Sequence, residues 1–283
     1  MDWKHALTRV AAEIEAGVDR TRHALDRRLG RDRPVRVEAY RGYGTPDRVR
    51  VRGRVLYGDP PGPAAPTDRW WINLRNALRR IESDEVPGAR VRVAFGGERV
   101  EATADAEGHF VAELRPGASV PADRLWHQAI VELVDPPGVD AVATSVALPR
   151  GARFGIVSDL DDTVLRTDAR NALRMIREVL FGNVHTRIPF PGVGAFYRAL
   201  HSCGDGGWNP VFYVSSSPWN LYDLLAEFLR LHEIPAGPME LRDWGLSARE
   251  LLPTGHRDHK RSAIDAILAT FPDLPFILVG DSG

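Results

Sequence analysis

Short apolar runs alternate with helix-patterned stretches through the last part of the chain, and this rhythm restricts the fold more than any other feature of the sequence. After Pro149 the order is FGIVS, helical ALRMIREVLF, VFYVS, helical WNLYDLLAEFLRLH, GPMEL, helical RSAIDAILATF and FILVG. Strand and helix in turn predict an α/β unit over residues 151–283, a parallel sheet with helices on its faces. Ligands of such sheets bind at the carboxyl ends of the strands, so the residues that follow each apolar run are the ones to inspect.

The first part of the chain obeys other periods. Trp3, Leu7, Val10, Ile14, Val18, Leu25 and Leu29 recur at helical spacing, which predicts an amphipathic helix over 1–30 stopped by Gly30. From 34 to 57 the period is two, with Val35 and Val37, then Val49, Val51 and Val55, on either side of a turn-like stretch from Gly42 to Asp47. A proline-rich loop over 58–69 precedes a second helical pattern, Trp71, Leu74, Leu78 and Ile81. Strand signals then resume, with Gly96-Gly97 and the stretch Asp105 to Gly108 read as two hairpin turns, and QAIVELV and AVATSVAL as further strands. Several short strands without a βαβ rhythm predict an antiparallel, sandwich-like domain over 31–150.

Composition removes several classes of function. With 283 residues the chain can bury a real core, and 43% hydrophobic against 27% charged residues is an ordinary soluble mixture. No apolar run approaches the roughly eighteen residues a membrane-spanning helix needs, and the N-terminus lacks the unbroken apolar core of a secretory signal, so a cytoplasmic location is expected. The single cysteine, Cys203, excludes an internal disulfide and a cysteine-rich zinc site. A net charge of -1 argues against nucleic-acid binding. Residues 1–58 hold 14 Lys plus Arg against 8 Asp plus Glu, a balance that suits peripheral contact with an anionic membrane surface, although a solvated face is the plainer reading.

Chemistry gathers in the second part. FGIVS leads into Asp159-Leu160-Asp161-Asp162-Thr163, three acids within four positions at the mouth of an apolar strand, costly to assemble unless a cation or a proton compensates them. VFYVS leads into Ser215-Ser216-Ser217-Pro218 and a helical pattern. Pro218 suits the first helical position and Ser217 the cap, which would gather amides and hydroxyls where a phosphate could sit. The run lacks the glycine-flanked elbow of a serine hydrolase. Lys260 stands near the start of a helical pattern formed by Ala263, Ile264, Ile267, Leu268 and Phe271. Lys4 is the only other lysine among 37 basic residues, so a compact point charge is notable there. His256 and His259 are read as polar loop groups, because two histidines without a third ligand make no zinc site. FILVG ends in Asp281, a hard oxygen donor at the tip of a fourth strand.

The string IVSDLDDTVL matches the hhhhDxDxT signature and resembles the haloacid dehalogenase superfamily of phosphotransferases. YVSSSPWNLYDLL, PFPGVGAFYRAL and FILVGDSG resemble, within it, the Mg²⁺-dependent phosphatidate phosphatase catalytic domain of fungal actin-patch proteins and their bacterial relatives. RGYGTPDRVRVRGRVL resembles the strand-rich region that precedes this domain in the bacterial proteins. The resemblance implies a HAD-like Rossmannoid sheet and hydrolysis of a phosphomonoester, phosphatidate to diacylglycerol, through an aspartyl-phosphate. It implies Asp159 as nucleophile, Asp161 as acid and base, Thr163 as an orienting group, Ser215 or next Ser216 and Lys260 on the phosphoryl oxygens, and Mg²⁺ on Asp159, Asp161 and Asp281. The superfamily pattern carries a further acid and a closing helix after the position of Asp281, so a fragment of a longer protein is expected.

The stretch between the first two motifs offers only a helix and a loop, too little for a closed cap, so an open site suited to a large or membrane-held phosphoester is expected. Met175, Val179 and Phe181 could face lipid if Leu173, Ile176 and Leu180 pack on the sheet, although all six as core is the plainer assignment. Two alternatives stand beside the lipid substrate. One is a phosphatase of the same superfamily acting on a soluble phosphomonoester, and the other is a non-catalytic binding protein that uses its strand-rich domain.

Overall fold

The computed structural model describes residues 34–58, 85–117, 120–137, 140–160, 192–202, 207–242 and 255–280. The helices expected over 1–30 and 71–81, the one expected over ALRMIREVLF, and Cys203 lie outside the described residues.

Seven strands form the first sheet: β1 Val35–Gly44, β2 Val49–Tyr57, β3 Arg90–Phe95, β4 Glu98–Thr103, β5 His109–Leu114, β6 Trp126–Asp135 and β7 Val142–Ala147. Their hydrogen-bonded order is β4-β3-β6-β7-β1-β2-β5. Strict alternation sends Val49, Val51 and Val55 of β2, Val91 and Val93 of β3, and Ala129 and Val131 of β6 into one shared core. Strands β3 and β5 lie far apart in this order yet touch, so the sheet curls back over that core. The sheet is mostly antiparallel but not wholly so. Strand β7 runs parallel to β1, pairing Val146 with Gly42 and Ala147 with Tyr43, because the chain crosses between them through the other strands instead of turning back directly.

The Gly96-Gly97 turn is a two-residue hairpin between β3 and β4, both glycines at positive φ as such a turn requires. The Asp105–Gly108 turn is not a hairpin. Asp105 Oδ1 accepts the backbone N–H groups of Glu107 and His109 at 2.9 Å each, and the chain reverses. The two strands then part to opposite ends of the sheet, β4 onto β3 and β5 onto β2, with the Val55 N–H donating to the Gly108 carbonyl. The turn expected from Gly42 to Asp47 is also shorter, because β1 continues to Gly44 through a bulge. Tyr40 pairs with Arg52 and Tyr43 with Arg50, so two residues of β1, Arg41 and Gly42, stand opposite the single Val51 of β2. A Cβ on Gly42 would stand 2.4 Å from the Arg50 carbonyl oxygen, so this closeness requires glycine. The extra residue lets Tyr40 and Tyr43 both reach the second sheet.

That sheet is parallel, in the order β10-β9-β8-β11, from β8 Gly155–Asp159, β9 Val211–Pro218, β10 Met239–Arg242 and β11 Phe276–Val279. Helices α1 Val193–His201, α2 Tyr222–Leu231 and α3 Gly255–Thr270 accompany it. Tyr197 of α1 and Leu225 and Phe228 of α2 share a core with Ile156 and Tyr213, while Ala263 and Ile267 of α3 and Phe271 just after it share another with Val157, Phe212 and Val214. Full burial of residues such as Ile267 and Phe271 is worth about 1.5–3 kcal/mol each. Tyr43 of β1 enters the second of these cores, its ring edge-on to Phe212 with centroids 5.3 Å apart, so the two sheets are joined by continuous packing.

Candidate active site

Strand β8 is buried along most of its length, and its neighbours β9 and β11 both run parallel to it, which carries Asp159 to the carboxyl edge of the sheet. Asp159 pairs in register with Val214, one residue before Ser215, and Ser158 pairs with Val279, so Gly280 follows beside Asp159. The apolar stripe Ala263, Ile267 and Phe271 fixes the rotation of α3 against the sheet. Lys260 lies three, seven and eleven residues before them on the same face and points its ammonium at the sheet edge. Lys260 Nζ donates to both carboxylate oxygens of Asp159, at 2.9 Å to Oδ1 and 2.7 Å to Oδ2. Both side chains are half-buried. They line a cleft of about 390 Å³ with Val157, Val214, Ile264, Leu278, Val279 and Gly280. A compact cation here offsets the charge of the carboxylate, so the pair sets no net negative charge against an incoming anion.

The serines are held differently from expectation. Strand β9 runs through them to Pro218, which pairs with Arg242 of β10, and a 3₁₀ turn over Trp219–Leu221 separates them from α2. Ser217 is therefore not a helix cap, and Pro218 is not a first helical residue. The physical cause is the stacking of Trp219 on Tyr40, rings 4.6 Å apart and 14° from parallel, which draws the chain onward as extended strand. Ser215 is fully buried and its Oγ accepts the Ser217 N–H at 2.9 Å, while Ser216, the next residue of the strand, is half-buried. His256 and His259 likewise stand in the first turns of α3, not in a loop, because that helix begins at Gly255.

One contact at the edge was not anticipated from the sequence. The Ser158 hydroxyl donates to the Asp159 carbonyl at 3.0 Å, so the bond between Ser158 and Tyr197 must be donated by the Tyr197 phenol. Tyr197 is fully buried, and burial pushes its hydroxyl above the ordinary range, which keeps it a donor. It fixes the backbone that presents Asp159. The signal lay in the segment PFPGVGAFYRAL, where a tyrosine sits on an otherwise apolar helix face.

Asp161, Thr163 and Asp281, and the helix expected from Leu173 to Phe181, lie outside the described residues. Among the described residues no three His, Cys, Asp or Glu side chains cluster as a metal site. Asp159, at the carboxyl edge of the sheet, offers carboxylate oxygens of the kind a hard divalent cation prefers. Among the described residues no helix is long and apolar enough to cross a membrane.

Residues 154–283 match the family model described as "Phosphatidate phosphatase APP1, catalytic domain". Phosphatidate phosphatase APP1 of Saccharomyces cerevisiae is 35% identical over 131 residues, covering 46% of this chain and 22% of the yeast protein. An uncharacterized protein of Schizosaccharomyces pombe is 29% identical over 133 residues, covering 46% of this chain and 21% of that protein. The chain thus spans about a fifth of the length of the curated relatives it matches. Among solved structures, a carbohydrate acetylesterase from Xanthomonas citri covers 84% of this chain and 66% of that chain at 11% identity, with a TM-score of 0.27, a likeness too slight to bear on function.

Proposed function

We propose that the second half of this chain is a phosphoric monoester hydrolase that converts phosphatidate to diacylglycerol. The observation that carries the reading is the Lys260 ammonium on both oxygens of Asp159, at the carboxyl edge of a parallel sheet and beside Ser215, within the segment that matches the phosphatidate phosphatase catalytic domain. A HAD-like arrangement of the sheet accords with its strand order.

Asp159 is the nucleophile of this reading. Its carboxylate oxygen forms a bond to phosphorus as the bond from phosphorus to the departing alkoxide breaks, giving an aspartyl-phosphate. Asp161 gives its proton to the alkoxide, and then takes one from the water that attacks phosphorus and releases Asp159 and phosphate. Lys260 and the Ser215–Ser216 groups hold the non-bridging oxygens, and Thr163 orients the loop between them. Positioning and charge compensation supply most of the acceleration in phosphoryl transfer. Asp159, Asp281 and the backbone carbonyl of Asp161 would hold Mg²⁺, which when bound neutralises charge shared by the carboxylate and the phosphoryl group. Peripheral access from a lipid surface suits an edge-of-sheet site.

The test is phosphate release from phosphatidate in detergent micelles, with and without Mg²⁺, for the wild-type chain and Asp159→Asn. Metal-dependent release that Asp159→Asn abolishes is the expected result. Retained turnover in Asp159→Asn refutes the nucleophile assignment, and turnover of small phosphomonoesters without turnover of the lipid transfers the reading to a soluble substrate.

A further inference from the structure

The segment that carries the serines is seated on the first sheet. Trp219 stacks on Tyr40 of β1, and Tyr222 packs on the same ring with centroids 4.5 Å apart. The Tyr222 hydroxyl accepts the Arg41 N–H at 2.8 Å, and the Arg52 guanidinium lies over the Trp219 ring at 5.9 Å. Between these two aromatics stands Asn220, whose Oδ1 accepts a hydrogen bond from Arg54 Nη1 at 2.8 Å. Arg54 is a buried cation, 4% exposed, and its remaining nitrogens are committed as well, Nε to the Glu107 carbonyl at 2.9 Å and Nη2 to Glu85 Oε1 at 2.7 Å. One rigid fork therefore ties the residue after Trp219 to two separate stretches of the first sheet's perimeter.

This anchoring matters at the end of the segment, where the pairing of β9 stops at Pro218. Among the described residues no side chain caps the 3₁₀ turn at its start, and the same is true of α2. Only four residues separate Ser215 from Asn220, and they run as extended strand into a tight turn. A shift at Asn220 is passed to the serines with little slack.

We propose that Arg54, acting through Asn220, is a positioning residue for the Ser215–Ser217 phosphate-holding segment, so that the strand-rich half of the chain completes the active site of the other half. The inference rests on the reading of this site as a phosphatase, and it assigns to the first sheet a part in that chemistry. Arg54 touches no reacting group. It limits the positions the serines can take, and a displacement of about 1 Å in a positioning group can cost on the order of a hundredfold in rate.

The experiment compares wild-type chain, Arg54→Met, Asn220→Ala and the double variant. Methionine fills the buried volume of Arg54 without a charge, and Asn220→Ala leaves the bonds of Arg54 to Glu85 and Glu107 in place, so at least one of the two keeps the fold. Amide hydrogen exchange is read on peptides covering 213–221 and, as a reference, 155–159. The expected result is at least tenfold faster exchange in 213–221 for both single variants with the reference peptide unchanged. Phosphatase kcat is expected to fall about tenfold or more in each, and the double variant to fall no further than either single one. Arg54→Lys restores little, since lysine cannot span three acceptors at once.

Exchange in 213–221 that matches wild type in both single variants overturns the proposal. So does faster exchange spread equally over both peptides, which marks a general loss of stability, and so does an additive loss of kcat in the double variant. A wild-type chain with no phosphatase activity defeats the functional reading of the site, while the exchange measurement still decides whether Arg54 positions the serines.

Discussion

The bond between Tyr43 and Glu240 crosses from one sheet to the other, and its removal gives a sharp test of how the halves are joined. The Tyr43 hydroxyl donates to Glu240 Oε1 at 3.0 Å, and Glu240 Oε2 accepts from Arg52 Nη1. Glu240 is 6% exposed, and burial together with this carboxylate pushes the Tyr43 hydroxyl well above its ordinary range, so the phenol is a committed donor. Tyr43→Phe keeps the ring on Phe212 and Phe271 and deletes one donor to a buried charge. A hydrogen bond to a charged group is worth about 1.5–3 kcal/mol, and the loss is at the full value because little water reaches the orphaned oxygen. For a chain of this size that predicts a fall in Tm of about 3–8 °C. Urea unfolding followed by tryptophan fluorescence measures it, in a cycle with Glu240→Leu. In the Glu240→Leu background, Tyr43→Phe should cost nothing, or should stabilise by removing a hydroxyl left without its acceptor. A cost under about 0.5 kcal/mol in the wild-type background, or the same cost in both, refutes the bridge as an energetic link.

Other consequences can be measured in the same preparation. Lys260→Met should lower kcat/KM about 10²–10³-fold by removing a preorganised positive charge, with Lys260→Arg recovering only part of it, and equal activity in Lys260→Met would remove this residue from the site. Burial, reinforced by Asp223, raises the pKa of Glu38 above its ordinary 4.5 in spite of the Arg36 guanidinium beside it, so the folded state holds that proton more tightly than the unfolded chain. The contribution of Glu38 is then fully present below about pH 4.5 and is lost as pH rises through the folded value. Stability of Glu38→Gln relative to wild type should consequently climb between pH 4 and pH 7, and a flat difference across urea titrations contradicts it. Ile267→Ala should cost about 2–5 kcal/mol by opening a cavity under α3, read by the same titration, and a smaller value would show that the helix collapses onto the sheet.

Much of this molecule is visible in its sequence, and the parts that are not share a cause. The runs FGIVS and VFYVS became parallel neighbours because strands buried on both faces leave few other arrangements, FILVG joined them as an edge strand with Ile277 and Leu278 exposed, and Asp159 met Lys260 because the apolar stripe of α3 dictates which way its second turn points. The Asp105–Gly108 turn shows where this stops. Its side-chain bonds determine that the chain reverses, but they say nothing about which strand the departing segment will join. The extended form of Ser217 and Pro218 is a tertiary effect of the same kind, decided by an aromatic ring 179 residues away in sequence from Trp219. Arg54 and Tyr40 sit on strands whose alternation looks like that of any half-exposed sheet, and nothing local marks them as contacts to the other sheet.

The match to the family model begins at residue 154, and that boundary cuts through a single packed body. Trp219, Tyr222 and Glu240 all lie on the matched side, while Tyr40, Tyr43, Arg52 and Arg54 lie on the other. Excision at that boundary would strip two large rings and a buried carboxylate of their cover at one stroke, leaving a sticky surface. The matched segment thus has part of its core completed by residues outside it, and side chains of β1 and β2 perform no reaction yet are held to the shape of a neighbour.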